Sequence, residues 1–340
     1  MAELWTDILD PATLTGYARE SMSDVERRKG TLAGFLPNRT TPDTLVRFNV
    51  GRTGLVEEAR FRAYDAEPEV GRGPKGERRT LELPAIGQTI PVSEYNQIRG
   101  RNSADPIVAE MLYNTADQVV TAVSDRIERL RGQVLLHGKA VIDQDNFQST
   151  DDFGRSPEMA PTAATAWNDP DADPIGDLRL WRDLYEDTNG VEPGAIVWSR
   201  EIQTALANSR NFQITTAGGG SRPATMNDVN AILASEGLPP IYVYTRRTAS
   251  GPVLPKTHLL MLPPQVGIDD WMGTELGATF WGQTLTAEDP AWNIAPLDRP
   301  GIVVGAYRNP KPPMIAEIIS DAISIPVLAN ADLALAAKVL

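Results

Sequence analysis

Apolar side chains recur at steps of three and four residues from Pro106 to His137, and this pattern predicts one uninterrupted amphipathic helix. Asp105 precedes the predicted start and Gly138 stands just past the predicted end, as helix boundaries often require. At ~1.5 Å per residue the helix is about 48 Å long, which is unusual for a compact enzyme. Its apolar stripe consists of Val108, Leu112, Ala116, Val119, Val123, Ile127, Leu130 and Val134.

The opposite face of this helix is polar, so we expect it to meet water or a partner. A coiled coil is the competing interpretation, but the chain has no second heptad segment to match this one. The polar face carries Glu110, Asn114, Asp117, Gln118, Asp125, Arg129 and Arg131.

Residues 56–92 are charged, interrupted by glycine and proline, and poor in large apolar side chains. We predict two extended strands, at 59–64 and 78–83, joined by a tip at 71–76. A hairpin alone is marginal in water, so we expect it to lie across another surface, with a disordered loop as the alternative. The residues expected to contact a neighbouring copy are Arg60, Phe61, Arg62, Tyr64, Arg72, Lys75, Arg78, Arg79, Leu81 and Leu83.

The remaining segments predict an α+β fold. Residues 1–50 form a polar arm with short helical pieces and a final strand, and residues 314–328 alternate as a pair of strands does. We expect the return of that pair to bring the carboxyl end near the long helix. Between the arm and residues 314–328, helices are predicted at 177–187, 200–208 and 226–236, and strands at 195–198, 241–244, 258–262, 278–281 and 302–307.

Composition removes several kinds of chemistry. The 340 residues include no cysteine, which excludes disulfides, thiolate nucleophiles and cysteine-bound zinc, and only two histidines, His137 and His258. The net charge of −13 argues against a surface that grips DNA. Lys+Arg and Asp+Glu number 14 and 15 up to residue 100, but 18 and 30 afterwards. No signal peptide or membrane span is predicted, so we expect synthesis in the cytoplasm.

No motif in the chain predicts a catalytic, cofactor or metal site. The glycines at 71–76 match the G-x-G-x-x-G string, but charged residues precede it and an extended segment follows, where a nucleotide site needs a buried strand and a helix. The aspartates at 169–173 imitate a calcium loop, but Pro174 and Leu180 replace its glycine and glutamate. Both segments are interpreted as loops.

The order of these parts resembles the lambda-type major capsid protein E family of tailed bacteriophages, with the Hong Kong 97-type shell fold. The stretches that carry the resemblance are Glu82-Leu83-Pro84-Ala85-Ile86, Ile90-Pro91-Val92-Ser93-Glu94-Tyr95, the strand-to-helix passage at 193–206, and Ile325-Pro326-Val327-Leu328-Ala329-Asn330-Ala331-Asp332. The resemblance implies an N-terminal arm (1–50), an extended loop (51–95), a peripheral domain (96–174 and 311–340) with its spine helix, and an axial domain (175–310).

The resemblance also implies a function. Copies of the chain would form the pentamers and hexamers of an icosahedral shell around double-stranded DNA, with each extended loop lying over a neighbour. The implied partners are other copies, a separate scaffold protein, a portal and a decoration protein, with only non-specific contact to packaged DNA and none to a membrane. Some relatives crosslink a loop lysine to a neighbour, but no asparagine can be matched here to Lys75.

Two other functions stay open at this point. A cellular compartment of the encapsulin type would use the same fold to hold cargo enzymes, and a soluble α/β enzyme would need a pocket of convergent titratable groups. Charge asymmetry further predicts that Arg60, Arg62, Arg72, Arg78 and Arg79 meet acidic residues of an adjacent copy.

Overall fold

Helices and strands alternate along the chain in the computed structural model, which describes residues 3–50, 77–101, 106–144, 147–209, 212–215 and 221–340. The helices are α1 (Pro11–Lys29), α2 (Glu94–Arg101), α3 (Pro106–His137), α4 (Pro174–Asn189), α5 (Arg200–Asn208), α6 (Met226–Ser235) and α7 (Leu285–Glu288). The strands are β1 (Glu3–Leu4), β2 (Asn38–Thr40), β3 (Leu45–Val50), β4 (Glu77–Glu82), β5 (Ala85–Val92), β6 (Lys139–Gln144), β7 (Phe147–Asp152), β8 (Ala195–Trp198), β9 (Ile214–Thr215), β10 (Ser221–Arg222), β11 (Ile241–Val243), β12 (Arg247–Thr248), β13 (Gly251–Pro252), β14 (His258–Leu262), β15 (Gly277–Trp281), β16 (Val303–Arg308), β17 (Ala316–Leu328) and β18 (Leu335–Lys338).

The long helix is confirmed, with the predicted bounds. α3 has 32 residues, and Gly138 ends it with φ +65° and an N–H that donates to the Val134 carbonyl at 2.8 Å. From Leu112 to Val134 the predicted apolar stripe is at most 4% exposed. The stripe therefore packs along most of the helix, as its periodicity requires.

The N-terminal arm differs from the prediction of short helical pieces. It contains one helix of 19 residues, α1, which begins where the Asp10 carboxylate accepts the Thr13 N–H at 3.2 Å and ends at Gly30, with φ +82°. Leu14 and Ala18 of α1 are buried against the spine helix α3. The sequence concealed this helix because its apolar stripe is narrow and contains small residues.

One strand replaces the pair predicted at 314–328. β17 runs without interruption for 13 residues and is antiparallel to β16 and β5 over its first part and to β15 over its second. Among the described residues, the order β1-β16-β17-β15-β2, with β5 also along β17, makes a six-stranded sheet. The alternation of apolar and polar residues correctly indicated extended structure, but alternation alone does not show where a strand ends or turns.

The returning strand of the predicted hairpin pairs with the N-terminal arm, which the sequence did not indicate. β4 is antiparallel to β3 from Leu45↔Glu82 to Val50↔Glu77, and the predicted outgoing strand at 59–64 lies outside the described residues. The chain turns at Leu83-Pro84 and continues as β5, which joins β17. The base of the extended loop is therefore built from the arm and is continuous with the large sheet.

The mixed region between 175 and 310 contains the predicted helices and strands, with small shifts at their ends. Side-chain caps start its helices: Asp173 for α4, Ser199 for α5, and Thr225 with Asp228 as a capping box for α6. A four-stranded sheet has the order β11-β8-β14-β18. Strand pairing crosses the predicted domain limits, because β18 joins this sheet while β15 and β16 join β17.

Two large apolar cores flank β17. One gathers α1, α3, β5 and the first half of β17, including Ile318 and Ala322. The other gathers the four-stranded sheet, its helices and the second half of β17, including Ile325 and Val327. The spine helix contributes to both, because Ile127 belongs to the first core and Leu130 to the second.

Candidate assembly surfaces

Most residues predicted to contact a neighbour lie where the structure gives no description. Arg60, Phe61, Arg62, Tyr64, Arg72 and Lys75 fall within 51–76, outside the described residues, and Arg78 is described only by its backbone in β4. These contacts therefore stay a prediction.

The two leucines of the returning strand are a correction. Leu81 is 7% exposed and Leu83 is 5% exposed, and both belong to the chain's own core. Their apolar surface is already covered within the subunit, so the expectation that a neighbour covers them is wrong. The pairing of β4 with β3 explains this, since it draws the strand onto the subunit.

Arg79 has a partner inside the subunit. Its guanidinium donates to the backbone carbonyl of Asp152, at the end of the β6–β7 hairpin. The Asp152 carboxylate also binds the Lys139 ammonium at 2.7 Å. The hydrogen bond from Lys139, followed by that from the Gly154 N–H, lowers the pKa of Asp152. These contacts tie the base of the loop to the hairpin that follows the spine helix.

A cluster of buried and half-buried charged side chains lies where α1, α3 and the mixed region meet, and we call it the ionic junction (Glu26, Lys29, Asp125, Glu128, Arg131 and Arg246). At its centre the Arg131 side chain is 0% exposed and donates to Glu26 at 2.8 Å and to Glu128 at 3.1 Å. Burial alone lowers the pKa of Arg131, but the two carboxylates outweigh it, so the net direction is upward.

Besides that of Arg131, Glu128 receives hydrogen bonds from two other parts of the chain. Its Oε1 accepts from the Leu32 N–H and from the Tyr244 hydroxyl, both at 2.6 Å, and its Oε2 accepts from the Thr31 hydroxyl at 3.0 Å. Burial, and then the charge of Glu128, raises the pKa of Tyr244. That phenol therefore remains a donor to the carboxylate over the physiological range.

Arg246 completes the junction from the mixed region. It donates to Asp125 at 2.9 Å and to the Ser124 hydroxyl at 2.8 Å on α3, and to the Gly30 carbonyl at 3.0 Å beyond α1. Lys29 also reaches Asp125, at 3.2 Å. The junction thus holds three carboxylates and three cations, so its charges balance.

Sequence reasoning missed this junction because Asp125 and Arg131 were assigned to a face that meets water or a partner. A signal was present. Arg131 stands four residues after Ile127 and three before Val134, which places it within the apolar stripe, and Glu128 lies three residues before it. Buried ion pairs are weak sources of stability but can select one arrangement of elements over others.

The described residues show no arrangement suited to metal chemistry or to membrane insertion. No three His, Asp or Glu side chains of the described ranges gather as metal ligands do. Within those ranges, every helix is too short or too polar to cross a bilayer. Burial, followed by the nearby charge of Arg155, lowers the pKa of His137. Burial, followed by the proximity of His137, lowers the pKa of His258.

A long spine helix packed under a sheet, with an arm helix and a separate mixed region, defines the Hong Kong 97-type class of shell subunit. A crystal structure assigned as the capsid protein of an Escherichia coli CFT073 prophage gives a TM-score of 0.63 at 15% identity, covering 100% of both chains. A phage-related protein of Bordetella bronchiseptica RB50 gives 0.61 at 16% identity, covering 96% of this chain and 95% of that one. The capsid of Myoviridae phage XM1 gives 0.51 at 12% identity, covering 91% and 90%.

The family follows from the sequence itself. The model of phage major capsid protein E matches residues 12–273, which is well over half of the chain. The chain therefore belongs to the phage major capsid protein E family, and the resemblance noted from its motifs is confirmed. It is a capsid shell protein, and its place is the virion. No curated protein matches it in sequence.

Proposed function

We propose that copies of this chain assemble as pentamers and hexamers into an icosahedral shell that encloses the double-stranded DNA of a tailed bacteriophage. The family match over residues 12–273 is the observation that carries this proposal. The ionic junction supports it physically, because a subunit repeated many times in one shell needs a defined angle between its arm, its spine and its axial region.

The proposed partners follow from the same function. Assembly takes place in the host cytoplasm on a separate scaffold protein, the finished shell holds a portal and a decoration protein, and packaged DNA is contacted without sequence preference. The net charge of −13 suits a wall that must not adhere to DNA. The protein has no catalytic role in this proposal. Arg60, Arg62, Arg72 and Arg78 of the loop meet acidic residues of an adjacent copy.

Size-exclusion chromatography followed by electron microscopy of the purified chain tests the proposal. Rings of five or six subunits, or closed particles, are the expected result. A chain that stays monomeric at every concentration, with or without co-expressed scaffold, contradicts it. The contents of particles produced in infected cells distinguish the remaining alternative. Particles that hold a cargo enzyme in place of DNA indicate a cellular compartment.

Charge neutralisation tests the proposed loop contacts separately. Replacing Arg60, Arg62, Arg72 and Arg78 by glutamine together, with Arg79 kept because it binds Asp152 of its own subunit, is expected to reduce particle yield at physiological salt. An unchanged yield contradicts electrostatic pairing across subunits while leaving the shell function intact.

A further inference from the structure

One edge of the large sheet has no strand beside it among the described residues, and we call it the open edge. β5 is hydrogen-bonded to β17 along one side, from Ala85↔Ile323 to Val92↔Ala316. On its other side, no strand of the described ranges pairs with it. An eight-residue strand with one unpaired edge presents a row of backbone donors and acceptors to whatever lies beside it.

The contacts of Gln88 show which backbone groups form that row. Its N–H donates to the Ser320 hydroxyl at 3.0 Å, and its carbonyl accepts from the same hydroxyl at 3.3 Å. Gln88 therefore faces β17. Since backbone groups alternate sides along an antiparallel strand, Ala85, Gly87, Thr89 and Pro91 face away. Proline, which lacks an N–H, is tolerated at such an outward position.

This edge lacks the protection that exposed strands usually have. Strand edges that remain exposed in solution are commonly guarded by charged side chains, especially lysine. β5 reads Ala-Ile-Gly-Gln-Thr-Ile-Pro-Val and has no charged residue, and Gly87, Gln88 and Thr89 are all exposed. Pro91 guards only its end. The composition favours an edge that is covered in the assembled protein.

A groove of about 310 Å³ runs beside the edge. It is lined by Pro84 and the first half of β5, by Ala122 and Val123 of the spine helix α3, and by the β6–β7 hairpin, where Phe147 is 47% exposed. An apolar side chain exposed beside an unpaired strand favours an occupant that covers both.

The groove is also lined by a cation, Arg126, that has no partner among the described residues. Arg126 lines it from α3 and is partly buried, and within the described ranges no hydrogen bond or ion pair reaches its guanidinium. The nearby arginines differ, because Arg129 binds the Gly251 carbonyl at 3.1 Å and Arg131 lies in the ionic junction. A partly buried guanidinium beside a neutral edge favours an occupant that brings a carboxylate.

We propose that the open edge of β5 accepts an extended segment of a second copy of this chain as an added strand, with a carboxylate of that segment paired to Arg126. The proposal rests on the shell function above, which supplies second copies at high local concentration. Charge complementarity selects this occupant, since the chain offers 45 Asp+Glu against 32 Lys+Arg. Backbone pairing provides affinity in such strand additions, and the flanking pockets provide specificity.

Hydrogen exchange on wild-type protein tests the added strand directly. Peptides covering residues 85–92 are compared between unassembled subunits and purified particles. The expected result is slower exchange of three further amides in particles, those of Ala85, Gly87 and Thr89, since Pro91 has no N–H and the even-numbered residues face β17. Particles without this added protection overturn the proposal but leave the shell function standing. A chain that never assembles contradicts both, and protection that appears only after another protein is added assigns the edge to that protein.

Substitutions give an independent test. Thr89→Pro removes an outward N–H and is expected to lower particle yield at least tenfold, whereas the matched Thr89→Val keeps the N–H and assembles normally. Arg126→Gln is expected to lower the yield several-fold and Arg126→Lys to restore most of it, with the melting temperature of unassembled subunits unchanged. Wild-type yields for Arg126→Gln refute the carboxylate pairing, and should Thr89→Pro fail to fold, the exchange result on wild type decides.

Discussion

Replacing Glu128 by glutamine measures how strongly the ionic junction holds the subunit together. The substitution keeps the shape of the side chain but removes its charge. Both carboxylate oxygens accept hydrogen bonds, at 2.6 to 3.1 Å from four donors. A glutamine amide has only one accepting oxygen. Its NH₂ group would face either the Leu32 N–H or the Arg131 guanidinium, and neither of these can turn to accept.

The expected cost follows from the buried cations Arg131 and Arg246, each of which loses one of its carboxylate partners. Removing one partner of a buried ion pair destabilises a protein by about 3–5 kcal/mol. At ~2.1 cal/mol/K per residue, a chain of this length unfolds with an entropy of about 0.7 kcal/mol/K, so the melting temperature should fall by roughly 4–7 °C. Among the described residues Glu26 accepts from Arg131 alone, so Glu26→Gln should cost about 1.5–3 kcal/mol, the value of one hydrogen bond to a charged group.

Thermal unfolding of unassembled subunits, followed by circular dichroism, provides the assay. Glu110→Gln is the matched control, because Glu110 lies on the same helix and is exposed, and its loss should change stability by less than ~0.5 kcal/mol. The expected order of destabilisation is Glu128→Gln, then Glu26→Gln, then the control. A Glu128→Gln melting temperature within about 1 °C of the control would refute the reasoning, since a 3 kcal/mol loss requires about 4 °C.

Three further outcomes are expected from unfolding measurements. Gly305→Ala should destabilise by about 1–3 kcal/mol, because a Cβ there would lie 2.3 Å from the Trp292 ring, and an unchanged melt would contradict this contact. Gly16→Ala should stabilise by roughly 0.5–1 kcal/mol, since it lies inside α1 with nothing within 4 Å of the new Cβ, and a lower melting temperature would be the contrary result. The pKa values of His137 and His258 are lowered from 6.5, so the folded chain binds fewer protons than the unfolded chain as pH falls. The contribution of these two histidines to the free energy of unfolding is therefore present above pH 6.5 and lost as pH falls below it. The double variant with glutamine at both positions should therefore lose less stability between about pH 7.5 and about pH 5.5 than wild type, and parallel curves would contradict the assignment.

The sequence predicted the elements better than their pairings. α3 and β8 were found with their bounds because each is defined by a local pattern, a 3.6-residue period in one and an apolar run between turn residues in the other. The pairing of β4 with β3 was not foreseen, because two segments, 45–50 and 59–64, both alternate as strands do. Closing a longer loop costs only slightly more entropy, so proximity in sequence does not decide between them.

The candidate assembly surfaces could be predicted only in part. The charge and the scarcity of apolar residues in 56–92 indicated that the loop needs a surface, but composition does not say which of its leucines face inward. Leu81 and Leu83 do so because β3 places the strand against the core. The ionic junction depends on contacts between residues about 100 positions apart, such as Tyr244 with Glu128, which no local pattern encodes.

β17 links these separate features into one subunit. Its first half packs against the spine helix through Ile318 and Ala322, and its second half packs in the other core through Ile325 and Val327. A rotation of the axial region relative to the spine would therefore have to bend this strand or break the ionic junction. Because β5 pairs with the first half of β17, a strand added to the open edge of β5 would extend the sheet on the spine side and leave the axial side unchanged. Contact between copies at this edge can thus hold the peripheral parts of neighbouring subunits together without fixing the orientation of their axial regions.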